Sequence, residues 1–249
     1  MNYYQFNLVT YTEWFEPELN SRPNDIAILF FSRSESEEIK YKKFAKKGKT
    51  NLSIAEALIS STKAVLHTSS FPYFTIDSAQ QTGLNFGERF SNALQLVFEK
   101  GYHKIIAIGN DCPLLTQKDL AKAATLLDSQ HNVLGPATDG GIYLLGIQKK
   151  HFNANQFKKL RWQSAQLFSD LQQYFNNQKT SAAQLSTKAD IDNETDLKAL
   201  FRLEPNAKSV QLLKELFFGK SYNKKGQYID PHFISQFHQS LGLRGPPKV

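Results

Sequence analysis

Cysteine is nearly absent from this chain, which has one, Cys112, among 249 residues. A disulfide needs two cysteines and a cysteine-cluster metal site needs several, so the sequence excludes both an internal disulfide framework and a site of that kind. The position of Cys112, just after an apolar segment, is typical of a small buried residue beside the end of a strand. We expect this packing role rather than that of a nucleophile.

Long apolar runs are absent as well. The sequence has no run of about 18 apolar residues, which is the length that crossing a membrane requires. Its N-terminus, MNYYQFNLVTYTEWFEPEL, lacks the basic and then apolar order of a signal peptide. We therefore expect a cytoplasmic protein without a membrane span.

Basic residues are in excess but are not concentrated in one place. The formal net charge is +7, and the lysines are spread over many segments. An anionic small molecule or a nucleotide is sufficient to explain this charge, whereas a nucleic acid would require a denser basic face, so we expect no nucleic-acid partner. The length of the chain fits one α/β domain with small additions.

The stretch from 104 to 147 carries the clearest functional signal. Residues 105–108 form an apolar run of strand type that stops at Gly109 and Asn110, so the carboxylate of Asp111 lies where a strand ends and a loop begins. Open α/β sheets bind ligands at such positions. An aspartate in a turn or a helix cap has the same local pattern, so the motif alone leaves both interpretations open.

A hairpin follows in the same stretch. Residues 132–137 and 142–146 are both strand-like, and Asp139, Gly140 and Gly141 connect them. Adjacent glycines let a substrate approach the backbone, and an aspartate just before them could accept a proton from an attacking hydroxyl group. An ordinary Asp-Gly turn between two strands explains the same residues equally well.

These two segments resemble DUF2064, a family of bacterial glycosyltransferase-like proteins within the nucleotide-diphospho-sugar transferases. The family pattern is an apolar strand, then G-x-D-C/S-P-x-L and, further along the chain, G-P-x-x-D-G-G-x-Y-L-x-G. The residues that fill the pattern here are Gly109, Asp111, Cys112, Pro113, Leu115, Gly135, Pro136, Asp139, Gly140, Gly141, Tyr143, Leu144 and Gly146. Residues 81–89 are similar to the family's Q-x-G-x-D-L-G-E-R, and Trp162 and residues 190–197 are similar to its downstream elements.

The resemblance implies the fold and the domain plan. It covers residues 25 to 200 approximately and implies an α/β fold of GT-A type, with a mostly parallel, Rossmann-like sheet and helices on both faces. The hairpin around Asp139 would add one antiparallel strand. We expect an aromatic-rich N-terminal extension over 1–24, a single GT-A-like domain over 25–203 and a C-terminal helical extension and tail over 204–249. The aromatic residues of the N-terminal extension are also compatible with a homo-oligomer.

The resemblance further implies a site for a nucleotide or nucleotide-sugar donor, an unknown acceptor and a divalent ion, Mg²⁺ or Mn²⁺. Asp111 and Asp192 would hold the ion, and Asp139 would be the general base. The residues expected to bind the nucleotide are Arg33, Lys40, Gln81, Gly83, Arg89 and Asp111. The residues expected to bind the substrate are Gly140, Gly141 and Tyr143. Arg89 opposes the macrodipole of a helix first turn, and an ion pair with nearby acids explains it as well as a ligand does.

The first loop, residues 32–44, departs from the family. The family's loop reads K-x-P-x-x-G-x-V-K-T-R-L, and this chain has neither the proline nor the glycine. Arg33 stands near the family's first lysine, and Lys40 and Lys43 stand near its K-T-R positions. Three acidic residues in the loop, Glu35, Glu37 and Glu38, would oppose a triphosphate, and a solvated charged loop is the alternative to phosphate binding.

The sequence is therefore compatible with three functions. The altered loop favours sugar transfer from a nucleotide-activated donor over nucleotidyl transfer, which must bind a triphosphate. A GT-A-shaped binding protein that has lost catalysis is the third possibility, although Asp111, Asp139 and Asp192 all remain. The available ligands are oxygen atoms, which favour the hard cations Mg²⁺ and Mn²⁺.

Periodicity and capping patterns predict the remaining elements. Strands are predicted at 25–31, 71–76 and 183–186. Helices are predicted at 51–66, with a capping box from Ser53 and Glu56, and at 87–99, 152–157, 162–174 and 209–218. A further helix is expected to begin near Asn193 with its own cap, and Asp196 is expected to stabilise its first turn.

Overall fold

The computed structural model of the protein describes residues 25–219. The predicted N-terminal extension and the tail beyond 219 lie outside these residues. The strands are β1 (Ile26–Phe31), β2 (Tyr73–Ile76), β3 (Lys104–Ile108), β4 (Asn132–Pro136), β5 (Ile142–Gln148) and β6 (Ala182–Gln184). The helices are α1 (Glu35–Tyr41), α2 (Gly48–His67), α3 (Phe86–Glu99), α4 (Gln117–Asp128), α5 (Ala154–Phe157), α6 (Leu167–Asn177), α7 (Glu194–Leu203) and α8 (Lys208–Phe218), with a 3-10 turn at Lys149–His151.

The six strands form one sheet in the order β2-β1-β3-β5-β4-β6. Strand β1 pairs in parallel with both β2 and β3, and β4 pairs in parallel with β6. Strand β5 runs antiparallel to both of its neighbours, with Leu145 opposite Ala107 of β3 and Leu134 of β4. The predicted Rossmann-like sheet with one antiparallel strand from the hairpin is therefore confirmed.

Strand β1 shows why the sheet is covered on both faces. Its sequence, IAILFF, is buried at every position, as expected for a central strand of a parallel sheet. Alternate side chains enter different cores: Ala27, Leu29 and Phe31 pack with apolar residues of α3 and α6. Ile26, Ile28 and Phe30 pack with apolar residues of α2 and α4. Within residues 25–219, no helix has the length and hydrophobicity needed to span a membrane.

Several local predictions were wrong. The first loop contains the helix α1, because Glu38 is buried and paired on its inner side. Helix α2 begins at Gly48, so Ser53 lies inside the helix and does not cap it. The helix predicted from Trp162 begins at Leu167, because Gln163 has a left-handed backbone (φ 60°) that interrupts a helix.

A third apolar core lies beyond α2. It joins the outer side of α2 to α7 and α8, so α2 is packed between the sheet and the two C-terminal helices. Helix α7 has the predicted cap: the side chain of Asn193 accepts hydrogen bonds from the backbone of Thr195 and Asp196, and Asp196 reciprocates. The end of α7 that follows Asp192 is thus fixed near the edge of the sheet where the parallel strands end.

Candidate functional site

A cleft of about 260 Å³ opens at the carboxyl ends of β1 and β3. Strand β1 lies between β2 and β3, so the chain leaves the sheet towards opposite sides at this point. Such switch points are where open α/β sheets bind ligands. The walls come from the segments that follow β1, β2 and β3, from the turn between β4 and β5, and from residues 162–164 and 190–192.

Three carboxylates converge in this cleft. One oxygen from each of Asp139, Asp190 and Asp192 lies within 4.8 Å of the others. Asp139 follows β4, and the segment carrying the other two is held beside that strand end because Thr138 N–H donates to the carbonyl of Lys188 at 3.0 Å. The backbone N–H of Ile191 donates to the carbonyl of Asp111 at 2.8 Å. These bonds bring the ends of β3 and β4 and the segment after β6 to one place.

Asp190 is the residue of this cluster that the site prediction omitted. Partial burial, followed by the negative charges of Asp139, Asp111 and Asp192, raises its pKa to about 7. The sequence contained a signal, because residues two apart in an extended segment share a face and Asp190 and Asp192 have that spacing. A group of oxygen ligands that repel one another fits a hard divalent cation such as Mg²⁺ or Mn²⁺.

Lys42 is the second residue that the site prediction missed, and it lies at the centre of the acidic group. Its Nζ contacts Asp192 Oδ1 at 2.8 Å, Asp111 Oδ2 at 3.1 Å and Glu38 Oε1 at 3.2 Å. Burial lowers the pKa of Lys42, but the charges of Asp111, Glu38 and Asp192 outweigh it and raise the pKa above its ordinary value. Asp111 and Asp192 therefore lie on the same side of the sheet edge. Asp111 Oδ2 and Asp192 Oδ1 are at most about 6 Å apart, with the ammonium group of Lys42 between them.

The cations that were predicted from the sequence differ from Lys42 in their surroundings. Arg33 lines the cleft and its Nη1 donates to Glu38 Oε2 at 3.3 Å. Lys40 does not line the cleft: it is exposed and pairs with Glu37. The reason is helical geometry, since Lys42 lies one turn from the buried Glu38 and Lys40 does not. Arg89 lines the cleft, and among residues 25–219 its guanidinium has no ion-pair or hydrogen-bond partner, so the alternative of an ion pair is not observed.

Two of the residues predicted to bind the nucleotide have clear structural contacts. Gln81 lines the cleft, and its side-chain amide donates to the carbonyl of Ser32 at 2.7 Å, which ties the segment after β2 to the end of β1. Gly83 does not line the cleft. It has a φ of 135°, and a Cβ there would lie 2.8 Å from the backbone nitrogen of Arg89, so a glycine is needed for the approach to α3.

Of the residues predicted to bind the substrate, some line the cleft and one packs against a neighbouring loop. Gly141 lines the cleft, but Gly140 packs against the loop before α6, where a Cβ would lie 2.2 Å from the carbonyl of Ala165. Tyr143 reaches the cleft wall with a buried ring, and its hydroxyl donates to the carbonyl of Ser186 at 3.1 Å. The turn interpretation of Asp139 is observed, because its Oδ1 accepts a hydrogen bond from Gly141 N–H at 2.7 Å. Its carboxylate also lies close to those of Asp190 and Asp192, and its role as a general base stays a prediction.

Part of the cleft lining is aromatic. Phe86, Phe90 and Trp162 form it, with ring centroids 5.0 to 5.8 Å apart. The indole nitrogen of Trp162 donates to the carbonyl of Phe157 at 2.8 Å, which fixes the orientation of the ring. The cleft lining thus combines charged and aromatic residues, as expected for a site that binds an organic molecule with an ionic group.

Comparison with known proteins agrees with the resemblance seen in the sequence. The model of the family described as "Uncharacterized protein conserved in bacteria (DUF2064)" matches residues 50–164, and the predicted resemblance is confirmed there. None of the curated proteins compared with the chain matches it.

Solved structures share the fold. A protein from Desulfovibrio desulfuricans G20, provisionally assigned as a nucleotide-diphospho-sugar transferase, is 23% identical, with a TM-score of 0.68 over 78% of this chain and 97% of that one. A cytidylyltransferase from Leptospira borgpetersenii is 13% identical, with a TM-score of 0.44 over 80% of this chain and 99% of that one. Rv0371c from Mycobacterium tuberculosis, in complex with manganese, is 11% identical, with a TM-score of 0.40 over 72% and 98%. The first likeness establishes the fold alone, and the other two are too distant to support an argument.

Proposed function

We propose that this protein is a glycosyltransferase that binds a nucleotide-activated sugar donor in the cleft together with Mg²⁺ or Mn²⁺. The observation that carries the proposal is the convergence of Asp139, Asp190 and Asp192 at the carboxyl edge of the sheet. The mutual closeness of their oxygens favours these three as the ligands of the ion. Asp111, which was expected to hold the ion together with Asp192, lies outside this group and shares the ammonium group of Lys42 with Asp192. When bound, such an ion neutralises the negative charge that a diphosphate leaving group gains.

Arg89 is the residue that we propose to bind the donor phosphates. It lines the cleft in the first turn of α3, where a cation opposes the macrodipole and does not stabilise the helix. Among residues 25–219 it has no anionic partner, in contrast to Arg33 and Lys42. A guanidinium group offers paired N–H donors that match the oxygens of a phosphate.

Sugar transfer is preferred to nucleotidyl transfer because of the charges near β1. A triphosphate carries more negative charge than a diphosphate and needs more free cations. Both Arg33 and Lys42 are already paired with Glu38, which leaves few cations in the first loop for a third phosphate. The aromatic part of the cleft lining, with Phe86 and Trp162, offers room for an organic acceptor or donor group.

A comparison of two aspartate variants tests the proposed ion site. Asp190→Asn should weaken Mn²⁺ binding by about tenfold or more, because it removes one of three ligand groups. The matched control is Asp128→Asn, which changes an exposed aspartate beside Lys104 at the opposite end of β3. Mn²⁺ binding is measured by calorimetry, and nucleotide sugars and nucleoside triphosphates are then screened by thermal shift with and without Mn²⁺. Equal Mn²⁺ affinity in Asp190→Asn and the control would contradict the proposed site.

Asp139 has two possible roles, and one variant separates them. Asp139→Asn should lower Mn²⁺ affinity if the carboxylate is a ligand of the ion. If it is the general base predicted from the sequence, the variant should keep its affinity for Mn²⁺ and donor but lose turnover once an acceptor is known. Near-normal turnover with normal Mn²⁺ affinity would leave only the turn role, in which Asp139 accepts the hydrogen bond from Gly141.

A further inference from the structure

We propose that Lys42 is an internal cation that limits the affinity of the cleft for divalent ions and confines such an ion to the side of Asp139 and Asp190. This inference rests on the proposed function, because it concerns the ion site described there. It assigns Lys42 the role of a positioning residue: the side chain acts on the ion through the carboxylates that it holds.

The first argument is geometric. The ammonium group of Lys42 contacts Asp192, one of the three converging carboxylates, at 2.8 Å, and Asp111 at 3.1 Å. It therefore stands on the side of the cleft that a metal ion bridging Asp111 and Asp192 would have to occupy. Two cations in direct contact repel each other strongly, so a divalent ion is favoured on the far side of Asp192, where Asp139 and Asp190 lie.

The second argument is that Lys42 is fixed in place. Its side chain is only 12% exposed, in contrast to an ordinary surface lysine. It follows α1 directly, its backbone N–H donates to the carbonyl of Glu38, and its Nζ contacts the Glu38 side chain one helical turn away. Glu38 in turn is held by Arg33 and by the side-chain amide of Asn110. Lys42 is thus held beside the acids by a network of hydrogen bonds and ion pairs around the buried Glu38.

The third argument concerns charge balance. Among the described residues, five carboxylates and three cations, Arg33, Lys42 and Arg89, line the cleft, and of these cations Arg33 and Lys42 pair with the carboxylates. Without Lys42 the carboxylates of Asp111 and Asp192 would lose their shared partner and would attract a divalent ion more strongly. The same change would leave the protein less stable when no ion is present, because the buried carboxylate of Glu38 would lose one of its two cations, and the partly exposed carboxylates of Asp111 and Asp192 would repel each other.

Calorimetric titration of the full chain with MnCl₂ alone tests the inference. Lys42→Met and Lys42→Gln should bind Mn²⁺ about tenfold more tightly than the wild type, since each removes a positive charge beside the ion site. Lys42→Gln can still donate a hydrogen bond to Asp192 and keeps the test available if Lys42→Met does not fold. Lys42→Arg, which retains the charge, and Lys40→Met, which changes an exposed lysine in the last turn of α1, should bind like the wild type.

The melting temperature gives a second measurement on the same proteins. The neutral Lys42 variants should melt below the wild type without metal and should show a larger rise when Mn²⁺ is added. The inference is overturned if both neutral variants bind Mn²⁺ no more tightly than the wild type. The proposed ion site still stands in that case, provided that the wild type binds Mn²⁺ and Asp190→Asn does not. If neither the wild type nor the neutral variants bind Mn²⁺ at millimolar concentration, both the ion site and the inference fall.

Discussion

Glu38 shows how one buried side chain arranges the cations of the cleft. It is only 1% exposed, and its carboxylate is held by Arg33, Lys42 and Asn110 at 3.2 to 3.3 Å. A buried carboxylate is tolerated only when it is paired and hydrogen-bonded. The guanidinium of Arg33 also lies 4.4 Å from the centre of the Tyr41 ring, so the Arg33 side chain contacts both Glu38 and Tyr41. The consequence is that an incoming anion meets Arg89 as the unpaired guanidinium among the described residues of the cleft.

The thiol of Cys112 provides a prediction about reactivity. Burial, with a smaller contribution from the charge of Asp111, raises its pKa from 9.0 to about 12, and the side chain is 4% exposed. Only the thiolate reacts, so a raised pKa means less reaction at a given pH. We expect iodoacetamide at pH 8 to modify the native protein at least about a hundredfold more slowly than the protein in 6 M guanidinium chloride. The chain has no second cysteine to confuse the result, and similar rates in the two states would contradict the packing role.

The residues of the site differed in how far the sequence could predict them. Asp111, Asp139 and Asp192 each follow a strand within a recognisable motif, and the sheet edge brings them to one cleft. Lys42 could not be recognised from the sequence, because a segment so rich in charged residues is normally exposed to solvent. Its spacing of four from Glu38 was a signal for pairing on one helix face, but burial of that face depends on the rest of the fold.

Helix ends show the difference between causes within one helical turn and causes beyond it. The cap of α7 was predicted because all of its partners lie within four residues. The start of α2 was misplaced because contacts beyond the reach of a capping motif accompany it: the side chain of Asn51 accepts hydrogen bonds from the backbone of Phe44, seven residues earlier, at 2.7 Å and of Ala45, six residues earlier, at 3.1 Å. That buried side chain fixes the turn before the helix, which therefore begins at Gly48, before the Ser53 motif. Strands were easier to predict, because continuous burial gives β1 and β3 a nearly apolar sequence.

The cap of α7 also fixes the position of Asp192. Asn193→Ala should lower the free energy of unfolding by about 1 to 2 kcal/mol, because two backbone N–H groups, of Thr195 and Asp196, lose their acceptor. Asn193→Asp should be close to the wild type, since aspartate caps a helix equally well. Urea denaturation followed by circular dichroism measures both. A loss as large in the aspartate variant as in the alanine variant would show that the cap is not the cause.

Residues 25–219 form a three-layer sheet domain with a fourth layer on one side. Helix α2 faces the sheet with Ile59 and Leu66, and it faces α7 and α8 with Ile54 and Leu58. The alternation of strands and helices up to β3 predicts this plan, and the short turn at Asp139 predicts the antiparallel strand. The boundary predicted at 203 stays a prediction. It would separate α8 from α2 and α7, the helices against which α8 packs. The hydroxyl of Ser209 in α8 also donates to the carbonyl of Pro113, next to the cleft loop, at 2.7 Å.

Shortening the chain tests whether α8 belongs to the folded unit. A chain ending at Leu203 should have a free energy of unfolding at least about 3 kcal/mol lower than a chain ending at Gly219, because it loses two fully buried side chains, Val210 and Leu213 (0% and 1% exposed). The comparison isolates the helix, since both chains lack the same tail. Val210→Ala in the longer chain should reproduce part of the loss, whereas Lys214→Ala, at an exposed position of the same helix, should have little effect. Equal urea midpoints for the two chains would place the end of the folded unit at 203, with α8 as an attachment that contributes nothing to the stability of the sheet domain.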